Sequence, residues 1–265
     1  EYWEENRFEN LSKDEIGVYK MYDTLQTVKK FKQIYSSVQV LASGFVQFGN
    51  FDYGPIFSTF GYNEVEGVRL RAGGRTYFGT DDSWRVQGYT AYGFKDDKFK
   101  YGFSGKWMVD RKNRLILSGG NRRDIEQIGA SLTATYDVLG RSSASSSVFT
   151  SGSNGKLTAI NLSNVAIEME PVKNLTFQTG FSYRTLESAS PTFSLDYYTD
   201  VANGIVKSDV KQSEASLQVD YTPKRKTIGF AVERQTVDSP YSRFFVNYSH
   251  GFKGLLDSDF QYDKL

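Results

Sequence analysis

The chain has 265 residues, a formal net charge of +1 and no cysteine. The near-neutral charge gives no electrostatic reason to expect a nucleic-acid partner, and the lack of cysteine excludes disulfides, thiolate nucleophiles and cysteine-ligated zinc. Aromatic residues make up 15% of the chain, glycine is frequent and proline is rare, which favours strands and turns over helices. No apolar run approaches the roughly 18 residues that a membrane-spanning helix needs.

The first predicted element is an amphipathic helix over about residues 13–34, and its start is marked by a capping box. Ser12 can accept a hydrogen bond from the amide of Glu15, whose carboxylate can reach back to the amide of Ser12. Apolar residues then recur at helical spacing as far as Phe31. We assign residues 1–35 to this helix and its connector, and we expect the helix to pack on its own domain. A membrane-surface helix is the less favoured alternative, because acidic residues interrupt the polar face.

Residues 36–62 form an aromatic segment punctuated by glycine, which we interpret as a lead-in to the next domain. Val38, Val40 and Leu41 suggest one short strand within it. The glycines and the proline that follow indicate loops.

From residue 63 to residue 265 the hydrophobic pattern has a period of two, and about eleven or twelve strands are predicted. The clearest run extends from Phe99 to Val109, where aromatic and aliphatic residues alternate with lysine and serine. Comparable runs are predicted at residues 68–78, 84–94, 128–138, 175–185, 215–221, 228–232 and 244–248. Many of these strands are longer than the ~5–6 residues usual in soluble sheets and approach the ~9–11 residues of transmembrane strands.

Aromatic residues near the ends of the apolar faces favour a transmembrane β-barrel over a large soluble antiparallel domain. They resemble the girdles that mark the two membrane interfaces of such barrels. These candidate membrane-interface aromatics are Trp84, Phe94, Phe99 and Trp107. The predicted fold is therefore mainly β: an antiparallel transmembrane β-barrel, incomplete in this chain because the last residues still follow a strand pattern, preceded by one amphipathic helix.

The predicted connections differ in length, which is also typical of such barrels. Tight turns are predicted near residues 95–98 and 170–174, and a longer polar loop near residues 187–209. We interpret them as short turns at one end of the barrel and long loops at the other.

A basic set of residues on the polar faces of the first strands is the most suggestive functional feature. It comprises Arg69, Arg71, Arg75, Arg85, Lys98, Lys100 and Lys106. We predict that this lumen-facing basic sector is either an ion-paired wall or a surface that attracts anions or an acidic plug. The candidate carboxylate partners are Asp110, Asp137, Glu214 and Asp220.

His250 is the only histidine, so any catalytic triad would have to use it. It stands beside Ser249 at a predicted strand end, a position that needs no catalytic explanation. One histidine without cysteine also disfavours a transition-metal site. We therefore predict no enzyme activity, no catalytic residue, no cofactor and no metal site.

Several motifs in a fixed order resemble an uncharacterised outer-membrane family of Bacteroidota. They read YWEENRFENLSKDE, LASGFVQFGNFDYGP, YNEVEGVRLR, WRVQGYTAYGFKDDKFKYG and HGFKGLLDSDFQYDKL. Members of that family carry an N-terminal carboxypeptidase-regulatory-like β-sandwich, a connecting region and a C-terminal barrel distantly similar to Omp85-type barrels. The resemblance implies that the sandwich and the final strands lie outside this chain, and it supplies no catalytic residues.

We therefore expect a non-enzymatic protein of the bacterial outer membrane, acting in envelope protein assembly or export or as a subunit of an outer-membrane complex. Its expected partners are outer-membrane lipids and other outer-membrane or periplasmic proteins, and no nucleic acid. A channel or transporter for small solutes is the first alternative, motivated by the polar strand faces. An outer-membrane hydrolase that depends on His250 is the second.

Overall fold

The chain forms two units, a helical unit that ends at Phe45 and a β unit that begins at Val46. The computed structural model describes residues 12–77, 81–127, 156–190, 192–237 and 242–265. Neither helix in these ranges is long and apolar enough to cross a membrane.

The helical unit contains α1 (Lys13–Thr27) and α2 (Lys29–Ser43). Ser12 and Glu15 form both hydrogen bonds of a capping box at the start of α1. The amide of Ser12 donates to Glu15 Oε2 at 2.8 Å, and the amide of Glu15 donates to Ser12 Oγ at 3.3 Å. The helix therefore begins where a side chain satisfies an amide that the first turn leaves without a partner.

The single helix expected over residues 13–34 is wrong, because the chain breaks at Val28, whose backbone is extended. Just before the break, the hydroxyl of Thr24 donates to the carbonyl oxygen of Lys20 at 2.8 Å, and that of Thr27 donates to the carbonyl oxygen of Thr24 at 2.7 Å. Such bonds to the preceding turn bend helices and destabilise them slightly.

The strand expected at Val38, Val40 and Leu41 is also wrong, because these residues belong to α2. The helix continues to Ser43 and ends at Gly44, which takes a left-handed conformation with φ 76°. The Gly44 amide donates to the carbonyl oxygen of Val40 at 2.7 Å. A glycine in this position is a frequent helix stop.

The β unit contains sixteen strands in the described ranges. They are β1 (Val46–Phe48), β2 (Phe51–Tyr53), β3 (Phe60–Asn63), β4 (Gly67–Thr76), β5 (Trp84–Gly93), β6 (Lys98–Asp110), β7 (Leu115–Gln127), β8 (Leu157–Val172), β9 (Leu175–Ser188), β10 (Tyr197–Asp200), β11 (Ile205–Lys207), β12 (Asp209–Tyr221), β13 (Lys226–Ile228), β14 (Gln235–Val237), β15 (Phe244–Phe252) and β16 (Tyr262–Lys264). Single-turn 3₁₀ helices lie at Ile56–Ser58 and Leu255–Asp257.

Twelve of these strands form one antiparallel sheet, and the protein is mainly β. The strand order is β1-β2-β4-β5-β6-β7-β8-β9-β12-β15-β16, with β3 paired to β4. Two separate hairpins, β10–β11 and β13–β14, complete the unit. Closure of the sheet would need hydrogen bonds between its outermost strands, and within the described ranges no pairing joins β1 to β16. The architecture in this part of the chain is thus a wide antiparallel sheet without a closed barrel, where the sequence predicted an incomplete transmembrane barrel.

The sheet begins earlier than the sequence suggested, because β1 and β2 lie inside the lead-in assigned to residues 36–62 and β3 begins within it. β2 pairs with the end of β4, where Phe51 lies opposite Thr76. β3 pairs with its start, where Phe60 lies opposite Leu70. These strands have only 3–4 residues each, too few to give a clear alternation.

Most of the longer predicted strands are present. The predicted runs coincide with β4, β5, β6, β9, β12 and β15. The run at residues 228–232 is wrong beyond Ile228, where β13 ends, and the sequence did not single out β7 and β8. The strand predicted at residues 128–138 lies outside the described residues.

The predicted separation of short turns and long loops is wrong for the connections that the structure describes. Successive connections of an antiparallel sheet alternate between its two ends. The tight turn after β5 (residues 94–97) therefore lies at the same end as the long connection after β9 (residues 189–208). The tight turn between β8 and β9 lies at the opposite end.

Candidate functional site: the ion-paired face of the sheet

Strand register divides the side chains of the sheet into two faces of opposite character, because successive residues point to opposite sides. We call one side the apolar face, because every long strand except β9 contributes exposed aromatic or aliphatic residues to it. Its members include Val68, Trp84, Phe99, Tyr101, Phe103, Trp107, Val165, Ile167, Leu217, Phe244, Val246 and Tyr248. We call the other side the ion-paired face. Its charged members include Arg69, Arg85, Lys100, Arg122, Asp124, Glu126, Arg184 and Glu214.

Burial on the sheet is inverted relative to a water-soluble protein. Among the described residues, buried polar and charged side chains outnumber buried hydrophobic ones. Arg69 is 1% exposed, whereas Phe103 is 55% exposed. Soluble proteins place residues such as arginine and glutamate outside and phenylalanine inside.

Arg69 is at the centre of a buried ion-pair network. Its guanidinium donates to both carboxylate oxygens of Asp124, at 2.7 and 2.9 Å, and to Glu66 Oε1 at 3.0 Å. The Tyr89 hydroxyl donates to Asp124 Oδ2 at 2.5 Å. The backbone amide of Ile125 adds a further bond to Asp124 Oδ1 at 2.8 Å. A bidentate arginine–carboxylate pair of this kind is both strong and directional.

Glu66 connects this network to β6. Its Oε1 atom lies 2.7 Å from the ammonium of Lys100, which also contacts Asp96 Oδ2 at 2.5 Å. The side-chain amide of Asn63 donates to Glu66 Oε2 at 2.6 Å. Lys100 and Glu66 are both buried, so each charge depends on its partner.

A second network lies on the strands towards the other edge of the sheet. Glu214 Oε2 accepts from Tyr262 at 2.6 Å, from Lys264 at 2.7 Å and from Arg184 at 3.1 Å. These donors come from β16 and β9, on either side of β12 and β15. One carboxylate oxygen thus joins the edge strand to the middle of the sheet.

A row of buried oxygens beside this network has no hydrogen-bond partner among the described groups. Asn164, Ser182 and Glu214 are register neighbours across β8, β9 and β12. The atoms concerned are Asn164 Oδ1, Ser182 Oγ, Gln212 Oε1 and Glu214 Oε1. Buried polar atoms nearly always have a partner, so these positions can accept bonds from a polar molecule.

Residues 222–237, which we call the cap segment, fold against the ion-paired face. Val232 packs against Met108 and Ile116 in a small buried hydrophobic cluster. The amide of Val232 donates to the carbonyl oxygen of Asp82 at 2.8 Å. Arg114 donates to the carbonyl oxygen of Ala231 at 3.1 Å.

Charge pairs hold the cap segment on both sides of Val232. Glu233 contacts Arg85 at 2.5 Å and Lys106 at 3.1 Å. Burial acts to raise the pKa of Glu233, but the ammonium of Lys106 and the guanidinium of Arg85 hold it below its usual range. On the other side, Arg234 donates to Glu170 of β8.

Register places all seven residues of the predicted basic set on the ion-paired face. Arg69, Arg85 and Lys100 are buried there, whereas Lys98 is exposed. Arg71 lies over the ring of Tyr89, 4.0 Å from its centroid. The remaining two pair with carboxylates outside the long strands: Arg75 with Asp52 and Lys106 with Glu233.

The carboxylate partners that the sequence predicted for the basic set are wrong for the residues that the structure describes. Asp110 accepts bonds from the turn that follows β6, Glu214 belongs to the second network, and Asp220 pairs with Arg243. Asp137 lies outside the described residues. The true partners were missed because Glu66 is in a turn and Asp124 is on β7. The alternation of Arg122, Asp124 and Glu126 was the available signal.

The four candidate aromatics lie at the two ends of the apolar face. Trp84 and Trp107 are direct cross-strand partners at one end. At the other end, the Tyr92 ring contacts Phe99 and Phe94, with centroids 4.8 and 5.3 Å away.

Among the described residues, the side chain that His250 contacts by a hydrogen bond is a carboxylate and not a serine. The His250 Nδ1 atom lies 2.8 Å from Asp263 Oδ1, which also accepts from Tyr248 at 2.5 Å. Ser249 points to the opposite face of the same strand. Within the described ranges, no group of three or more acidic or histidine side chains is placed to hold a metal ion.

The fold and this site define a mainly antiparallel β-protein whose wide sheet buries ion pairs on one face and exposes apolar residues on the other. The chain belongs to the family of unknown function DUF5686: the C-terminal domain of that family matches residues 44–265. The match covers the β unit and leaves α1 and α2 outside. Neither the curated proteins nor the solved structures contain a match to the chain.

Proposed function

We propose that the β unit is part of a transmembrane β-barrel wall in a bacterial outer membrane, with its apolar face against lipid. The inverted burial of the sheet is the observation that carries this proposal. An exposed face of this kind would drive aggregation in water. Against hydrocarbon it is favourable, and the polar face is then directed away from lipid.

The spacing of the aromatic pairs supports the same arrangement. Along β5, Trp84 and Tyr92 are eight residues apart, which corresponds to about 27 Å of extended strand. Their cross-strand partners on β6 are Trp107 and Phe99. The apolar band of an outer-membrane barrel is about 25 Å tall and is bordered by aromatic residues.

We further propose that the protein is not an enzyme and acts in envelope protein assembly or export, or as a subunit of an outer-membrane complex. Its partners would be outer-membrane lipids and other outer-membrane or periplasmic proteins. The sequence resemblance supports this role. On the same ground we propose that the protein comes from Bacteroidota, has a carboxypeptidase-regulatory-like domain elsewhere and has an Omp85-like barrel. The arrangement of His250 offers no support for hydrolysis.

Adjacent positions on β6 provide the test of the membrane assignment. Phe103→Cys and Ser104→Cys, each labelled with an environment-sensitive dye, would place the probe on opposite faces, and the chain has no other cysteine. In vesicles containing brominated lipid, we expect strong quenching at position 103 and little at position 104. Equal quenching at both positions, or none at either, would reject a lipid-facing apolar face.

The cellular role is tested by depleting the protein from its native host. We expect a subset of outer-membrane or surface proteins to be lost. Wild-type protein should restore them, whereas Phe103→Arg, which should weaken membrane insertion, should not. An unaltered set of surface proteins after depletion would contradict the proposed role in assembly or export. Purification of a monodisperse single chain would argue against the complex-subunit role.

A channel for small solutes is the second candidate, favoured by the row of buried oxygens at Asn164, Ser182 and Glu214. Oxygens of this kind can accept bonds from water or a polar solute. The cap segment works against free passage, so we expect conductance in planar bilayers only after the cap segment is released, for example by Val232→Asp. Absence of conductance in both the wild type and the Val232→Asp variant would exclude the channel.

A further inference from the structure

Helix α2 (Lys29–Ser43) carries an apolar stripe, most of whose side chains are exposed in the part of the chain that the structure describes. Phe31, Ile34, Tyr35, Val38 and Leu41 recur at the spacing that puts side chains on one side of a helix. Ile34 and Leu41 are each 64% exposed, and Val38 is 58% exposed. The rings of Phe31 and Tyr35 stack with centroids 6.3 Å apart, which gives the stripe a fixed aromatic end.

The charge of α2 has a single sign. Lys29, Lys30 and Lys32 lie in its first turns, and the helix contains no acidic residue. The acidic residues that disfavour binding to a membrane surface include Asp14 and Asp23, and both belong to α1 rather than α2. The helix dipole disfavours cations at a helix N-terminus, so an anionic partner near these exposed lysines would stabilise α2.

We propose that α2 lies in the headgroup region of an anionic bilayer, with its apolar stripe towards the acyl chains and its lysines on lipid phosphates. A basic helix with one apolar side is the type that binds membrane surfaces. A second copy of α2 is a poorer occupant. The stripe spans only about two heptads, fewer than the 3–4 that indicate a coiled coil, and parallel copies would bring the lysines together.

The inference rests on the proposed function in one respect, namely that the chain meets a bilayer. The experiment therefore uses the whole chain in vesicles and reads the helix and the sheet separately. A dye is attached at Leu41→Cys on the stripe, at Ser36→Cys on the opposite side of α2, or at Phe103→Cys on the sheet. The vesicles contain brominated phosphatidylcholine, with or without phosphatidylglycerol.

We expect quenching at position 41 but not at position 36, and stronger quenching when phosphatidylglycerol is present. Replacing Lys29, Lys30 and Lys32 by glutamine should weaken the partitioning of α2 on the order of tenfold or more. The matched control replaces Lys13 and Lys20 of α1 by glutamine and should leave quenching at position 41 unchanged.

The possible failures are distinguishable. Quenching at position 103 without quenching at position 41 would overturn the inference and leave the membrane assignment intact. The dye at position 41 could instead be shielded from solvent to the same extent in lipid-free detergent as in vesicles, while the protein is a dimer in that detergent. That result would overturn the inference in favour of a second copy of α2. No quenching at either position would reject both the inference and the membrane assignment.

Discussion

Arg69 illustrates how single residues of this sheet depend on their partners. Its guanidinium is almost fully buried and is balanced by Asp124 and Glu66. A buried ion pair adds little net stability compared with a hydrophobic pair, but removal of one partner leaves an expensive uncompensated charge. We therefore expect the networks to specify which strands lie together more than to strengthen the sheet.

We expect Asp124→Ala to destabilise the protein by about 3 kcal/mol, the lower end of the usual range because Glu66 still faces Arg69. The loss also removes the acceptor of the Tyr89 hydroxyl. Chemical unfolding in detergent, followed by tryptophan fluorescence, measures the change. Replacing both Arg69 and Asp124 by apolar residues should recover most of the lost stability.

The matched control is Asp209→Ala. Asp209 lies 3.8 Å from Lys207 and both side chains are partly exposed. Exposed pairs contribute about 0–1 kcal/mol, so unfolding should change little. An equal loss in both variants would show that burial does not govern these pairs.

Gly120 occupies a position on β7 where no side chain fits. A methyl group there would collide with the carbonyl oxygen of Phe103 and come within 2.9 Å of Ser104 Cα. We expect Gly120→Ala to separate β6 from β7 and cost about 1–3 kcal/mol, as overpacking does. Gly105→Ala, whose nearest neighbour would be 3.9 Å away, is the control and should unfold like the wild type. Equal midpoints for the two variants would contradict the close approach.

At the scale of elements, the cap segment is held by pairs that titrate. Glu233 has a folded pKa below its ordinary 4.5, because Lys106 and Arg85 outweigh the effect of burial. A carboxyl with a depressed pKa contributes stability above its ordinary pKa and loses that contribution as the pH falls through the folded value. The attachment of the cap segment should therefore be constant above about pH 4.5 and weaken below it.

Hydrogen exchange at the Val232 amide measures this attachment, after correction for intrinsic rates. In the wild type we expect protection to fall below pH 4.5. Glu233→Gln should begin with lower protection and show a flatter pH profile. Parallel profiles in the two proteins would mean that another carboxylate holds the segment.

Sequence alternation predicted the elements best where strands are long. β5 and β6 each run for at least ten residues with one face apolar, so their ends could be placed closely. The break between the two helices at Val28 could not be predicted, because no glycine or proline marks it. The continuation of α2 to Ser43 could have been predicted, because the apolar residues from Phe31 to Leu41 recur at helical spacing and Gly44 follows.

The site was predictable only in part, for a physical reason. Alternation puts Arg69, Arg85 and Lys100 on one face, but pairing depends on which strands are neighbours. Arg85 meets Glu233, 148 residues away, through a segment that the period-two pattern does not describe. Long-range contacts of this kind have no signature in local spacing.

At the scale of the whole molecule, the apolar face should tolerate charge differently at its centre and at its ends. We expect Phe103→Arg, in the middle of β6, to cost about 2–4 kcal/mol, and Phe99→Arg, near the strand end, about 0–1 kcal/mol. Both positions carry an exposed phenylalanine on the same face, so each is the control of the other. Refolding into vesicles, followed by denaturant titration, measures the difference. Equal costs would mean that the face does not cross a bilayer.

The inverted burial of the sheet also has a calorimetric consequence. Exposing apolar surface raises the heat capacity on unfolding, whereas exposing polar surface lowers it. Because the buried side chains described here are mainly polar and charged, the increment per residue should lie well below the roughly 12–15 cal/mol/K of globular proteins. The free energy of unfolding of this protein would then vary almost linearly with temperature. Cooling would cause little of the destabilisation that proteins with apolar cores undergo.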